Sequence, residues 1–137
     1  MREMLLLCMI AMFTTRAGLA ATSMAAVQKI YVAAMGQTDE AARFRMLLGD
    51  KLSKGGFTVV DSAEQADAVL SGVLAVRVYD DDSSARATME LKSKEGERIW
   101  SVDFGPHFGW GSSDPVTRRA EDVANALRKL RDKSRKE

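Results

Sequence analysis

Few residues of this chain combine the types and spacing that catalysis requires. The only histidine, His107, follows Asp103 by four positions and precedes Ser112 and Ser113. The three residue types of a Ser-His-Asp hydrolase are therefore close in sequence. The Gly-x-Ser-x-Gly sequence that exposes a nucleophilic serine is absent, and both serines stand just before a predicted helix cap. We therefore predict no catalytic residue and no enzyme, with a small periplasmic hydrolase using His107 as the alternative.

Metal ions and cofactors are not expected either. Asp80, Asp81 and Asp82 bring three carboxylates together, but without the alternating ligands, central glycine and distant glutamate of an EF-hand. One cysteine and one histidine cannot build a structural zinc site. The glycines at 105–113 are not followed by the lysine and helix of a phosphate-binding loop. The acidic run is interpreted as a solvated turn.

The segment 105–113 is the predicted binding site. It places His107, Phe108 and Trp110 among glycines, in what the composition predicts to be a loop. Aromatic side chains displayed on loops of a rigid scaffold commonly form binding hot spots. The alternative is that Phe108 and Trp110 fold back as a lid over the open face of the sheet.

The first twenty residues are interpreted as a signal peptide. A short basic start at Arg2 leads into the apolar run Leu5–Phe13, which is shorter than a membrane-spanning helix, and Gly18 and Ala20 satisfy the small-residue rule for cleavage. Cys8 follows three leucines in a weak likeness to a lipobox, so a lipid-anchored assembly factor is a second alternative.

Cleavage near Ala20 would change the cysteine content and the net charge of the exported protein. The whole chain has 137 residues with a formal net charge of +1, whereas the processed chain would have no cysteine and no net charge. A cysteine-free domain suits an oxidising compartment, and neutrality gives no drive toward nucleic acid. The basic residues of the last helix are interpreted as a solvated outer face, with contact to anionic lipid or polymer as the alternative.

The predicted elements form one domain over residues 29–133, between a mobile lead-in at 21–28 and a charged tail at 134–137. The first half predicts a strand at 29–33 and a helix capped by Thr38 and ended by Gly55-Gly56. A buried strand at 57–60 and a single helical turn follow. The near-continuous apolar run at 66–79 predicts a central strand covered on both faces.

The second half predicts two antiparallel strands, at 85–93 and 98–104, and a loop at 105–113. The last helix begins at Asp114-Pro115 and frays from Arg131. The order β-α-β-β-β-β-α predicts an α+β fold, a five-stranded mixed sheet with two amphipathic helices on one face.

This pattern resembles a group of bacterial envelope domains. Gly56-Phe57-Thr58-Val59-Val60 and Ala66-Asp67-Ala68-Val69-Leu70-Ser71-Gly72 look like the corresponding strands of the TolB N-terminal domain, the curli-secretion lipoprotein CsgG and LpoB-type activators of penicillin-binding proteins. The resemblance implies an exported α+β domain, with Asp67 and Gly72 as turn and packing residues. It does not extend to the TolB propeller or to channel formation.

Together these observations predict a periplasmic or secreted, non-enzymatic accessory domain. Its expected partner is an envelope protein or another envelope component rather than nucleic acid, and no transmembrane span is expected. An exposed sheet edge would allow pairing with a second copy of the chain.

Overall fold

A computed structural model describes residues 24–78, 83–108 and 114–136. The strands are β1 (Lys29–Val32), β2 (Thr58–Val60), β3 (Ala68–Val78), β4 (Ser83–Ser93) and β5 (Arg98–Phe108), and the helices are α1 (Asp39–Lys54) and α2 (Pro115–Lys136). The strands form one five-stranded sheet in the order β2-β1-β3-β4-β5. The predicted α+β fold is confirmed.

The sheet is mixed, as predicted. β1 lies parallel to both β2 and β3. The helix α1 connects β1 to β2, and a short 3-10 turn at Ala63–Gln65 connects β2 to β3, so that all three strands run in the same direction. β3, β4 and β5 form an antiparallel meander. This order leaves β2 and β5 as the two edge strands.

Both ends of α1 follow from its sequence. The Thr38 hydroxyl accepts a hydrogen bond from the Ala41 amide at 3.1 Å, which caps the helix as predicted. At the other end Phe57 N–H donates to the Leu52 carbonyl at 3.1 Å and Gly56 N–H to Ser53 at 3.2 Å. This is a Schellman motif, and Gly56 supplies its left-handed residue with a φ of 95°.

The core lies between the helices and one face of the sheet. Each helix buries an apolar stripe in this core, with Leu130 of α2 packed against it. The buried residues are Ala41, Phe44, Leu48 and Leu52 in α1 and Val116, Ala120, Val123, Ala124 and Leu127 in α2. β3 is central but covered on one face only, so the prediction of two covered faces was wrong: Leu70 is fully buried whereas Val73 is 62% exposed. β2 was predicted as buried and is a half-buried edge strand.

Two terminal predictions need correction. Residues 24–28 are not a loose lead-in, because Met24–Ala26 form a 3-10 turn and Met24 and Val27 are buried in the core. The last helix does not fray from Arg131, which is 7% exposed, and the helix continues to Lys136. In both places contact with the core supplies order that the local sequence does not reveal.

The residues that carried the family resemblance have the structural roles expected of them. The Asp67 carboxylate accepts hydrogen bonds from the amides of Gln28 (3.0 Å) and Lys29 (2.8 Å), and so ties the start of β3 to the start of β1. A side chain at Gly72 would lie 2.2 Å from the Thr88 carbonyl oxygen, so this position requires glycine for close strand packing.

Candidate functional site

The predicted binding residues lie at the end of β5. His107 and Phe108 are its last two residues, opposite Ala85 and Ser84 of β4, so the first four residues of the loop predicted for 105–113 belong to the strand. Trp110 lies outside the described residues, as do Ser112 and Ser113. The structure therefore gives the backbone positions of His107 and Phe108, and their role as binding residues stays a prediction.

A bulge explains why the strand passes through Gly105-Pro106. The register shifts between Ala85 and Ala87, which accommodates a proline that cannot donate to a regular ladder. Arg119 of α2 fastens this bulge from the helical side, donating to the Ala85 carbonyl at 3.1 Å and the Gly105 carbonyl at 2.6 Å.

Arg119 is itself held in place by two neighbours. It donates to the Asp122 carboxylate at 2.7 Å and lies 5.7 Å from the centre of the Phe104 ring. Its burial (9% exposed) corrects the prediction that the basic residues of the last helix share a solvated face. The signal was present in the sequence, because Arg119 lies three residues after Val116 on the apolar stripe.

A Ser-His-Asp hydrolase would need Asp103 to accept a hydrogen bond from His107, but Asp103 binds Arg86 and Thr88 instead. Arg86 donates to both of its carboxylate oxygens, through Nε at 3.0 Å and through Nη2, and Thr88 donates at 3.2 Å. The hydrogen bonds from Arg86 lower the pKa of Asp103 and raise the pKa of Arg86. Asp103 lies opposite Thr88 and His107 opposite Ala85, which are three residues or about 10 Å apart along β4. The backbone therefore does not bring the two residues side by side.

One face of the sheet is left uncovered by the helices and strands of the described residues. Among those residues no helix or strand packs on it, and the outward positions of β3 and β4 include exposed Val73, Arg86 and Thr88. Toward β1 and β2 its side chains are mainly apolar and half-buried: Tyr31, Val60 and Val69. Toward β5 they are charged and paired, as in Arg98 with Glu90 at 3.4 Å.

This division gives the face an apolar half beside a polar half. Val73 lies at their boundary, opposite Thr88, which in turn lies opposite Asp103. Apolar residues beside polar groups with satisfied hydrogen bonds are typical of surfaces that bind proteins. The face ends near Phe108, since Phe108 pairs with Ser84 and Ser84 pairs with Arg77.

A groove of about 440 Å³ lies where α1 passes the edge strand β2. Met46, which is 70% exposed, forms part of its wall, and Arg45 reaches across to donate to the Val32 carbonyl at 2.8 Å. The groove has no signal in the sequence, because both residues lie off the apolar stripe of α1 and only the packing of α1 beside β2 brings them to that edge.

The described residues hold neither a metal-binding cluster nor a helix suited to span a membrane. They contain no group of three or more histidine, cysteine, aspartate or glutamate side chains arranged to hold a metal ion. No helix within them is long and apolar enough to cross a membrane. The acidic run Asp80–Asp82, Cys8 and the whole predicted signal peptide lie outside the described residues.

No protein family and no curated protein sequence matches this chain. Solved structures do share its fold. The PelC dodecamer from Paraburkholderia phytofirmans is 21% identical, with 81% of this chain and 91% of that chain aligned at a TM-score of 0.57. A hypothetical protein from Chlamydia trachomatis is 11% identical, over 77% of this chain and 98% of that one, with a TM-score of 0.56.

The expected likeness to TolB is confirmed at the level of the fold. TolB from Acinetobacter baumannii aligns with 76% of this chain at 10% identity and a TM-score of 0.54, and 28% of the TolB chain takes part. Identities this low establish a shared architecture and no shared activity. The likeness to CsgG and to LpoB-type activators stays a prediction.

Proposed function

We propose that this protein is an exported accessory domain of the bacterial envelope that acts by binding another protein and not by catalysis. The uncovered sheet face carries the proposal. It combines an exposed apolar residue, Val73, with paired polar side chains beside it, on a scaffold whose other face is filled by the core. The predicted signal peptide and the shared fold with TolB support export to the envelope.

The segment around His107, Phe108 and Trp110 extends this surface in the proposal. The backbone of Phe108 pairs with β4 at the end of the sheet, so the aromatic segment begins where the open face stops. A partner seated on the face could then contact the segment as well, which agrees with the binding role predicted for these three residues.

Site-specific photocrosslinking tests which side of the molecule contacts the partner. A benzophenone amino acid is placed in the full chain at Val73 on the open face or at Met46 on the helical side, two positions of similar exposure (62% and 70%). Irradiation of cells should give discrete adducts from position 73 and none of the same mass from position 46. Adding Phe108→Ala and Trp110→Ala should weaken those adducts.

The two crosslinking positions are matched, and each contradicting result removes a different part of the proposal. The paired positions control for expression and for reagent access, since both side chains are exposed and neither lies in the core cluster. The same adducts from both positions, or none from position 73, would contradict the role of the open face. Unchanged adducts in the Phe108→Ala/Trp110→Ala background would remove the aromatic segment from the interface.

Self-association through a sheet edge is a second part of the proposal. β2 and β5 are both edge strands and lie at opposite ends of the sheet order, so pairing the β2 edge of one copy with the β5 edge of another would be a head-to-tail contact. Such contacts close into rings when the rotation permits. The similarly folded PelC assembles as a dodecamer, which favours this interpretation.

A further inference from the structure

The outer face of the second half of α2 is strongly basic. Five exposed cationic side chains share it, against one exposed acid, Asp132: Arg128, Lys129, Lys133, Arg135 and Lys136. At 100° per residue these five side chains project within an arc of about 160°. That arc is centred opposite the buried stripe to which Leu127 and Arg131 belong.

These cations differ from those at the start of the same helix. Arg118 lies within 4 Å of Glu121 and Asp122, and Arg119 is bound to Asp122. The five at the other end have no ion-pair partner among the described residues. Asp132 is occupied by the buried Arg131 at 3.3 Å, so it does not neutralise its exposed neighbours. The net positive field of this face is therefore uncompensated locally.

The position of the basic face is set by contacts around the turn after α1. Arg131 donates to the Gly55 carbonyl at 2.9 Å, and its guanidinium lies 4.4 Å from the centre of the Phe57 ring. From the other side Gln28 donates to the Gly56 carbonyl at 2.9 Å. The basic end of α2 and the start of β1 therefore meet at one end of the molecule.

We propose that this basic face docks on the surface of an anionic phospholipid membrane. Lysine and arginine side chains near an anionic bilayer gain electrostatic energy in proportion to their number, without a shaped pocket. The apolar stripe of α2 is occupied by the core, so the contact would be made at the headgroups without insertion of the helix. Residues 125–136 contain no aromatic side chain for stacking on bases, which favours a lipid surface over single-stranded nucleic acid.

This contact would use a different surface from the proposed protein-binding site. α2 packs on the face of the sheet opposite to Val73, so a membrane at the helix and a protein at the open face could be bound together. Failure of either interaction can be recognised separately, because the crosslinking experiment does not involve α2 and the lipid experiment does not involve the open face of β3.

Vesicle co-sedimentation of the full chain tests the proposal. Vesicles of phosphatidylcholine alone are compared with vesicles containing about 30% phosphatidylglycerol, at about 0.05 M and about 0.5 M NaCl, where screening lengths differ several-fold. The N-terminal segment is the same in every variant. We expect preferential binding to the anionic vesicles at low salt, and Lys129→Gln/Lys133→Gln should weaken it about tenfold or more.

A matched variant controls for overall charge. Lys94→Gln/Arg118→Gln removes the same two charges away from the basic face and from the open sheet face, since Lys94 is exposed in the turn after β4 and Arg118 is 57% exposed at the start of α2. This variant should leave vesicle binding within about twofold of the parent. Equal weakening by both double variants would overturn the proposal, because net charge and not this face would then be responsible. Equal binding to neutral and anionic vesicles would overturn it as well, and so would binding to heparin or DNA without binding to vesicles.

Discussion

At the scale of single residues, two buried arginines of α2 join parts of the chain that are distant in sequence. Arg119 binds carbonyl groups on β4 and β5, and Arg131 binds the turn after α1. Each arginine is itself buried, and these carbonyl groups accept from guanidinium donors that would otherwise be buried without a partner, which is costly in the interior of a protein. A guanidinium suits both positions, because its several donors reach more than one acceptor while its plane stacks on Phe104 or Phe57.

Gly72→Ala should destabilise the protein strongly. The added methyl group would meet the Thr88 carbonyl oxygen at 2.2 Å and the Met89 sulfur at 2.7 Å, so two central strands would have to move apart. We expect a loss of about 3 kcal/mol in the free energy of unfolding, measured by urea titration. Gly105→Ala is the control, because its methyl group meets no atom within 4 Å, and it should change stability by less than about 0.5 kcal/mol. Equal losses in the two variants would contradict this account.

At the scale of elements, one ion pair connects the two helices. Asp114 accepts hydrogen bonds from the Val116 amide (3.1 Å) and the Thr117 hydroxyl (2.8 Å), which caps α2, and its carboxylate also pairs with Arg43 of α1. The hydrogen bond from Arg43 is the main cause of a lowered pKa of Asp114, with Thr117 and Val116 contributing in the same direction.

The lowered pKa of Asp114 predicts the pH at which this connection is lost. A carboxyl whose pKa is lower in the folded state stabilises the fold above its ordinary pKa of 3.8, and the stabilisation disappears as the pH falls through the folded-state value. Asp114→Asn keeps an oxygen for capping but loses the ion pair, at a cost of about 1 kcal/mol at pH 7 because both partners are partly exposed. Urea titrations of the two proteins should converge as the pH falls below 3.8 and through the lower folded-state pKa of Asp114. A difference that stays constant between neutral and acid pH would show that charge on Asp114 does not matter.

At the scale of the whole molecule, the two free sheet edges govern the prediction about assembly. The Thr58 amide donates inward to the Gln28 carbonyl at 2.9 Å, so the next amide along β2, that of Val59, points outward. Light scattering after size exclusion should therefore show a mass above that of the monomer which rises with concentration. Val59→Pro, which removes the outward donor from an edge strand, should reduce this mass. Circular dichroism would verify that the variant is folded, and a monomer at every concentration would contradict edge pairing.

Much of the fold could be predicted because its signals are local. The Thr38 cap, the glycine-ended α1 and the Asp114-Pro115 start of α2 depend on residues within one or two turns of each other. The alternation along β4 likewise reports one buried face, since successive side chains of a strand point to opposite sides. The parallel and antiparallel pairings then followed from the order of the elements.

The candidate site was less predictable, because it depends on which surfaces the packing leaves open. A run of glycine and proline near 105 predicted a loop, yet Arg119 and a bulge keep those residues in β5. The apolar run of β3 predicted cover on both faces, but two helices suffice for only one. Met46 gives no sequence signal for the groove, since it forms a wall of the groove only because α1 packs beside β2.

The sequence by itself determined the class of fold, both ends of α1, the start of α2 and the antiparallel pairing of β4 with β5, since caps and periodicity act over short distances. Tertiary structure alone decided that one sheet face is open, that Arg119 and Arg131 are buried while Arg128 and Lys129 are exposed, and that the basic end of α2 meets the start of β1. The physical reason is that burial is a property of neighbours brought together from distant parts of the chain, and each surface proposed here for binding is defined by the burial of the residues around it.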